Sequence, residues 1–295
     1  MPVDVDARMV SEVAITDVRS SRRVIVGFDD SQSSHAALAW AAREASARNR
    51  ALRIVNCLTT PRDTHDLGAL QRAHLVTALD EVRRRHHGLS FDAAETHADP
   101  QDALFGEAVG AELVVIGAST PGTAQRWLLG SAPGAIARRS SCPVVVVHGT
   151  GHQEVRRVVV GVDSSNASAA ALDWAIDEAN RHGANILIVH AWERPIGKVR
   201  SMRTDDLRRA DASCALDIAV RSCELRTLQS VEGTLREGDA ATVLVAVTTG
   251  TDLLVVGSRG RSGFTTMLFG SVATSVMDDS GCPAVVVHPH PRPAV

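Results

Sequence analysis

The chain contains an internal repeat, which restricts its fold more than any other feature of its sequence. Residues 22–31 (RRVIVGFDDS) return as residues 156–165 (RRVVVGVDSS), 134 positions later. Residues 142–148 (CPVVVVH) return as residues 282–288 (CPAVVVH), 140 positions later, so the second copy holds six additional residues between the two motifs. A repeat of this length corresponds to a complete domain. The sequence therefore predicts two copies of one fold in tandem.

The domain organisation follows from the repeat and the length. A chain of 295 residues can form two domains of ordinary size. We assign residues 1–21 to an N-terminal tail, residues 22–150 to the first domain and residues 151–295 to the second. The junction is placed near Gly149–His152, a short glycine-containing stretch between an apolar strand and the start of a new one.

Each copy alternates strand and helix patterns. Residues 158–162 (VVVGV) are a continuous apolar run, typical of a strand covered on both faces. Apolar residues then recur over 172–179 at helical spacing, in a helix that we expect to begin near Ser164 and to end at Gly183. Five strands per copy predict an α/β fold of two doubly wound domains. Each is a Rossmann-like, five-stranded parallel sheet of order 3-2-1-4-5, which binds ligands beyond the carboxyl ends of its strands.

Charge and composition exclude several classes of partner. The net charge is -3 and aromatic residues make up 3% of the chain, so neither a basic patch nor stacking platforms for nucleic acid are expected. The apolar runs are too short to cross a membrane, and no signal peptide is recognisable, which predicts a cytoplasmic protein. The five cysteines show no metal-ligand spacing, and we interpret the 12 histidines as surface or edge residues.

The segment after the fourth strand of the second copy has the composition of an anion-binding loop. Glycines Gly257 and Gly260 expose main-chain amides, and Gly260 can take a positive φ. Arg259 and Arg261 add cationic donors. The pair Gly270-Ser271 then opens a helix that continues with Val272 and whose N-terminal amides favour an anion.

Two common phosphate-binding motifs are absent from the sequence. The P-loop needs a lysine followed by Ser or Thr, whereas the single lysine, Lys198, precedes Val199. A GxGxxG fingerprint does not follow the first strand of the second copy either, which makes NAD or FAD an unlikely ligand class.

The spacing G-x2-G-x9-G-S over residues 257–271 resembles the ATP-binding signature of the universal stress protein family. The resemblance extends to the VGVDSS segment, to Gly238-Asp239 and to the CPAVVVH strand, and so covers both copies apart from the tail. It implies ATP, with Mg²⁺ accompanying the polyphosphate, as the ligand. The implied nucleotide-binding residues of the second copy are Gly161, Asp163, Ala191, Val256, Gly257, Arg259, Gly260, Arg261, Gly270, Ser271 and Val272. Among these, the resemblance gives adenine or ribose to Asp163 and Ala191, and ribose and phosphates to the glycine loop.

The first copy departs from this signature. Its corresponding nucleotide-binding residues are Asp29, Cys57, Gly117, Gly130 and Ser131. Thr120 stands where the second glycine of the loop belongs, and a β-branched residue would be strained there if the position needs a positive φ. Ala98 likewise replaces the counterpart of Gly238. We therefore expect the second domain to bind ATP more tightly than the first.

Each of these assignments has a simpler alternative. Asp29 and Asp163 can instead cap the helices that follow them, and the two roles can coexist. Gly257 and Gly260 can form a plain strand-exit turn, although the Gly-Ser helix start ten residues later disfavours that interpretation.

The final strands, residues 144–147 and 284–287, are apolar and would be exposed edges if unpaired. In the family that the chain resembles, last strands pair across a pseudo-twofold axis. This implies that the two domains join through them. Association of two chains into a homodimer is compatible with the sequence, which carries no specific signal for it.

Three functions remain open. The first is an ATP-binding regulatory or sensor protein of the stress response. The second is an enzyme, at most a weak ATPase, because the sequence offers no arranged acid/base pair, catalytic lysine or nucleophile. The third is a nucleotide-free protein-interaction module, which suits the altered loop of the first copy and is opposed by the intact loop of the second.

Overall fold

The computed structural model describes residues 22–57, 65–118, 132–149, 151, 154–194, 202–260 and 269–289. The first copy contains strands β1 (Val24–Phe28), β2 (Leu52–Cys57), β3 (Phe91–Thr96), β4 (Leu113–Gly117) and β5 (Val144–Val147), and helices α1 (Gln32–Ala47), α2 (His65–Arg85), α3 (Pro100–Ala108) and α4 (Ala132–Arg139). The second contains strands β6 (Arg157–Gly161), β7 (Asn185–Trp192), β8 (Val231–Glu237), β9 (Asp252–Gly257) and β10 (Ala284–Val287), and helices α5 (Asn166–His182), α6 (Met202–Glu224), α7 (Ala240–Val247) and α8 (Ser271–Asp279).

All ten strands belong to one sheet of order β3-β2-β1-β4-β5-β10-β9-β6-β7-β8. Neighbouring strands are parallel within each copy, as the continuous apolar runs predict. The exception is the central pair, where β5 and β10 run antiparallel with Val145 opposite Val285. Both predictions are confirmed: each half has the order 3-2-1-4-5, and the domains join through their last strands.

Helices cover both faces of the sheet. Alternate side chains of each strand point to opposite faces, so that Val24 and Val26 of β1 lie in one core and Ile25 lies in the other. The first core lies under α1, α2, α5 and α6, and the second under α3, α4, α7 and α8. Both cores include residues of the two domains, because β5 and β10 contribute to each face.

The local signals at the ends of α1 and α5 agree with the sequence. α5 ends at Gly183, which has the left-handed φ of 65° expected of a C-terminal glycine. Asn49, just beyond α1, also has a positive φ, of 51°. The N-caps are Ser31 and Ser165, whose side chains accept from amides of the first turn. Capping by Asp29 or Asp163, the simpler alternative for those residues, is therefore not what the structure shows.

Two histidines tie the domains together and correct the interpretation of the histidines as surface or edge residues. His148 follows β5, and its Nε2 donates to the main-chain oxygen of Met277 in α8 (3.0 Å). His288 follows β10, and its Nε2 donates to the main-chain oxygen of Ala137 in α4 (2.6 Å). Burial lowers the pKa of both rings, so each is held as a neutral donor across the domain boundary.

In the part of the chain that the structure describes, no helix combines the length and the apolar character needed to cross a bilayer.

Candidate functional site

A cleft of about 460 Å³ opens in the second domain beyond the carboxyl ends of β6, β7 and β9. β6 has β7 on one side and β9 on the other, so the chain order reverses at this position. The N-terminus of α8 and one side of α7 complete the walls. The cleft therefore lies at the switch point where doubly wound sheets hold their ligands.

Most of the residues predicted from the sequence meet in this cleft. Its lining includes Gly161, Asp163, Ala191, Val256, Gly257, Arg259, Gly260, Gly270, Ser271 and Val272. Arg261 lies outside the described residues. Four separate segments of the chain thus converge on one space.

Asp163 is positioned by the turn between β6 and α5. Its Oδ1 accepts from the amide of Ser165 (3.0 Å), and its own amide donates to the hydroxyl of Ser168 (3.3 Å). Ser164 between them adopts a positive φ of 66°. This turn directs the Asp163 carboxylate towards the glycine loop instead of the helix terminus.

Gly260 lies close to Asp163, and its φ is outside the left-handed region, so the positive φ that glycine can take is not used here. A Cβ at Gly260 would lie 2.7 Å from Oδ2 of Asp163. The loop main chain therefore passes directly against the carboxylate, and a side chain at this position would displace it.

Gly257 and Gly161 serve packing as well as the cleft. A Cβ at Gly257 would lie 2.6 Å from the main-chain carbon of Ala167, in the first turn of α5. The equivalent Gly117 would meet the main-chain carbon of Ser33 at 2.5 Å. A Cβ at Gly161 would lie 2.9 Å from Leu244 of α7. These glycines let helices approach the sheet in both copies and do not by themselves indicate a ligand.

The start of α8 is left open to the cleft. Its N-cap is Gly270, which provides no side-chain hydrogen bond to the first turn, whereas α1, α3, α5 and α7 are all capped by Ser or Asp. The amide of Gly270 donates to the main-chain oxygen of Ser258 (2.9 Å), which holds the helix against the exit of β9. Ser271 and Val272 line the cleft, and among the described residues no side chain is seen to cap their end of the helix, an arrangement suited to an anion.

The first copy shares part of this arrangement. Asp29 accepts from the amide of Ser31 (3.0 Å), as Asp163 does from Ser165, and Gly117 ends β4. Cys57 ends β2, the strand equivalent to β7. Gly130, Ser131 and Thr120 lie outside the described residues. Gly238 has a φ of 138°, and its counterpart Ala98 has no such φ, so the backbone before α3 differs from that before α7.

The sequence reasoning missed the apolar wall of the cleft. Val189, Leu244 and Phe269 line it opposite the charged groups. Leu244 belongs to the apolar side of α7, a helix that the sequence reasoning did not consider. The apolar periodicity of residues 240–247 was the available signal.

A second cluster of titratable side chains lies at the boundary between the domains. Glu44, Glu178 and His182 bring three possible metal-ligating atoms within 4.8 Å of one another. However, the guanidinium of Arg48 donates to both carboxylates. The cation in this cluster is therefore supplied by the protein itself, and the cluster is better described as a buried ion-pair network.

Comparison with known proteins agrees with the architecture. The sequence model of the universal stress protein family matches residues 20–148 and again residues 154–288. A universal stress protein of Mycolicibacterium smegmatis is 30% identical over 292 residues, covering 90% of this chain and 97% of that protein. One from Mycobacterium tuberculosis is 30% identical over 289 residues, covering 91% and 97%.

Solved structures show the same fold at lower identity. A universal stress protein from Archaeoglobus fulgidus superposes with a TM-score of 0.64 at 18% identity, covering 90% of this chain and 96% of that one. A functionally unknown protein from Pseudomonas aeruginosa gives a TM-score of 0.67 at 18% identity, covering 92% and 94%. With both segments matched by the family model and full-length relatives at 30% identity, the chain belongs to the universal stress protein family and carries two of its domains in tandem.

Proposed function

We propose that the second domain binds ATP in the cleft between β6, β9 and α8, and that the protein acts as an ATP-dependent regulator or sensor. The observation that carries the proposal is the convergence of Asp163, the 257–260 loop and the uncapped start of α8 on one cleft. A carboxylate, cationic and main-chain donors and an apolar wall together match the chemistry of a nucleoside triphosphate.

The cleft suggests how the nucleotide would lie. The apolar side chains of Val189, Leu244 and Phe269 suit the base, and the Asp163 carboxylate can accept hydrogen bonds from ribose hydroxyls. The amides at the start of α8 and the guanidinium of Arg259 suit the phosphates. Within the described lining, the carboxylate of Asp163 and the hydroxyl of Ser271 are oxygen donors of the type that Mg²⁺ prefers.

Regulation fits this site better than catalysis. Among the described lining residues, Asp163 and Arg259 carry the ionisable side chains, and a single carboxylate with an arginine does not form an acid/base pair. A nucleotide in the cleft would contact the end of β9 and the start of α8, which adjoin β10 and α4 at the domain boundary. We expect nucleotide occupancy to be transmitted to the domain boundary by this route.

The proposal is tested first with Gly260→Val in the purified full-length protein. The new side chain must occupy the space of the Asp163 carboxylate, so we expect the Kd for ATP, measured by isothermal titration calorimetry with Mg²⁺ present, to rise about a hundredfold or more. Thr120→Val is the matched control. It places the same side chain at the equivalent position of the first copy, outside the described residues, and we expect the Kd to change less than twofold.

Two outcomes would contradict this assignment. An equal rise of the Kd for ATP in Gly260→Val and Thr120→Val would mean that both domains bind the nucleotide. A wild-type protein that binds no adenine nucleotide at millimolar concentration, and releases none on denaturation, would favour the nucleotide-free interaction module. Steady phosphate release by wild type that is lost in Gly260→Val would instead favour the weak ATPase.

A further inference from the structure

The first domain contains a second cavity that is unrelated to the nucleotide cleft. A groove of about 760 Å³ lies between α1 and α2, within the range of sites that hold small organic ligands. Its floor is apolar and is formed by Leu38, Ala42, Ala78 and Val82. Charged and imidazole side chains form its rim, so the groove has both an apolar and an ionic component.

The acidic groups of the rim are already satisfied. Asp30 is bound by two imidazoles, His74 Nδ1 at 2.6 Å and His35 Nε2 at 3.0 Å. Although burial alone would raise the pKa of Asp30, these hydrogen bonds lower it, so the carboxylate is ionised and hydrogen-bonded on both oxygens. Glu81 is bound by both Arg84 and Arg85. Neither acid is left to balance a further cation.

The basic groups at the other end of the rim lack such partners. Arg43 is half-buried, and its Nη1 donates to the main-chain oxygen of Gly151 (3.2 Å); in the described part of the chain it forms no ion pair. Burial lowers the pKa of Arg43 despite the opposing influence of Glu44 and Glu154. The pKa of His86 is lowered by burial and by the charges of Arg43 and Arg85. Positive charge is therefore concentrated at one end of the groove, where Glu44 and Glu154 act on Arg43 but no described carboxylate forms an ion pair with it.

The second copy does not reproduce this arrangement. Asp177 stands at the position equivalent to Arg43, which reverses the charge. Ile176 replaces Ala42 and puts a larger apolar side chain at the equivalent position. The ionic groove is therefore a property of the first domain, just as the complete glycine loop is a property of the second.

We propose that the groove between α1 and α2 of the first domain binds a small organic anion whose apolar body lies on Leu38, Ala42, Ala78 and Val82 and whose anionic group contacts Arg43 and His86. The ligand class follows from the combination of an apolar floor with a half-buried guanidinium that forms no ion pair among the described residues. This site is independent of the ATP site, and each can fail without the other.

The test uses 1-anilinonaphthalene-8-sulfonate as the anionic probe and N-phenyl-1-naphthylamine as its uncharged counterpart, titrated into the full-length protein with ATP in excess. We expect one sulfonate probe to bind per chain. Arg43→Gln should raise the Kd of the anionic probe about tenfold, the usual effect of losing a charge-assisted contact, and change that of the uncharged probe less than twofold. The control Asp177→Asn, at the equivalent position of the second copy, should change neither.

A second variant keeps the test independent of Arg43. Thr77 is exposed on α2 and lines the groove, so Thr77→Trp fills it without removing a charge or a core contact. Both probes should then bind at least tenfold more weakly. The proposal is overturned if Arg43→Gln leaves the anionic probe unaffected or weakens both probes equally. It is also overturned if Thr77→Trp, with an unchanged unfolding midpoint, binds both probes as wild type does.

Discussion

At the scale of single residues, the glycines of this protein divide into those that the fold needs and those that the cleft needs. Gly117 and Gly257 end the fourth strands of the two copies, and a Cβ at either would meet the main chain of the first helix of its copy, α1 or α5, at 2.5 or 2.6 Å. Main chain cannot move aside as a side-chain end can. The repetition of these glycines is therefore explained by packing.

This distinction gives a prediction on stability. Gly117→Ala should lower the free energy of unfolding by about 3 kcal/mol, because α1 must be displaced from the sheet. Gly106→Ala is the matched control, since Gly106 lies in α3, has no atom near its Cβ position and should gain up to about 1 kcal/mol in helix propensity. Urea denaturation of both variants measures the difference. Similar urea midpoints for the two variants would show that α1 can shift to accommodate the added methyl group.

At the scale of elements, the N-terminus of α8 lacks the side-chain cap that is present at the starts of α1, α3, α5 and α7. A capping side chain would fit at Gly270, because the atom nearest to a Cβ there, the main-chain oxygen of Ser258, would lie 3.4 Å away. An open helix start costs some stability and leaves the amides to a ligand. Function and stability should thus oppose each other at this position.

Gly270→Asp tests that opposition. The carboxylate should cap α8 and leave the free energy of unfolding without nucleotide equal to wild type or higher by a few tenths of a kcal/mol. It should also occupy the amides and repel the phosphates, raising the Kd for ATP at least tenfold. Gly270→Ala, which adds the Cβ without the charge, should have a much smaller effect on the Kd. Unchanged affinity in Gly270→Asp would place the phosphates elsewhere.

The sequence was most informative about the helices and strands. The apolar run of β6 and the left-handed stop at Gly183 follow from local patterns and were predicted, and the pairing of β5 with β10 was predicted from the family resemblance. The reason for Gly260 was not, because its close approach to Asp163 arises between segments almost a hundred residues apart. The groove beside Arg43 was missed likewise, since the register of α1 against α2 is set by tertiary packing.

At the scale of the whole molecule, the two domains are joined on the α1 and α5 side by a buried charge network. Glu44 and Glu178 occupy equivalent positions of the repeat, and so do Arg48 and His182. All four side chains are largely withdrawn from solvent, with His182 the most exposed at 13%. Arg48 pairs with both carboxylates and Arg181 also pairs with Glu178, and a protonated His182 adds a further cation that contacts both carboxylates.

Geometry and pKa agree on that protonation. His182 Nε2 lies 2.9 Å from Glu44 Oε2 and 3.1 Å from Glu178 Oε1. Burial alone would lower the pKa of His182, but the hydrogen bonds to Glu178 and Glu44 raise it to about 9. Burial would likewise raise the pKa of Glu44, whereas His182 and Arg48 lower it to about 2. The domain boundary is thus held by a protonated imidazole at neutral pH.

The sign of the resulting pH dependence can be worked out. A histidine whose pKa is raised from 6.5 to about 9 on folding contributes stability that is complete below pH 6.5 and is lost as the pH rises through about 9. The shift corresponds to a contribution on the order of 3 kcal/mol. The lowered pKa of Glu44 acts at the other end, contributing stability above pH 4.5 that is lost as the pH falls towards 2.

His182→Gln and His182→Arg separate this contribution from other alkaline effects, such as the buried thiols of Cys142 and Cys282, whose pKa values burial also raises. In urea unfolding, the free energy of unfolding of the wild-type protein should fall strongly between pH 7 and pH 9.5. His182→Gln should be less stable at pH 7 and lose much less further stability at pH 9.5, because the thiols titrate in both proteins and cancel in the comparison. His182→Arg places at position 182 the residue type that Arg48 provides at the equivalent position of the first copy. This variant should keep the domains joined at pH 9.5. Parallel losses in all three proteins would mean that His182 is neutral in the folded protein, and that the boundary is stabilised by the β5–β10 pairing and apolar contacts alone.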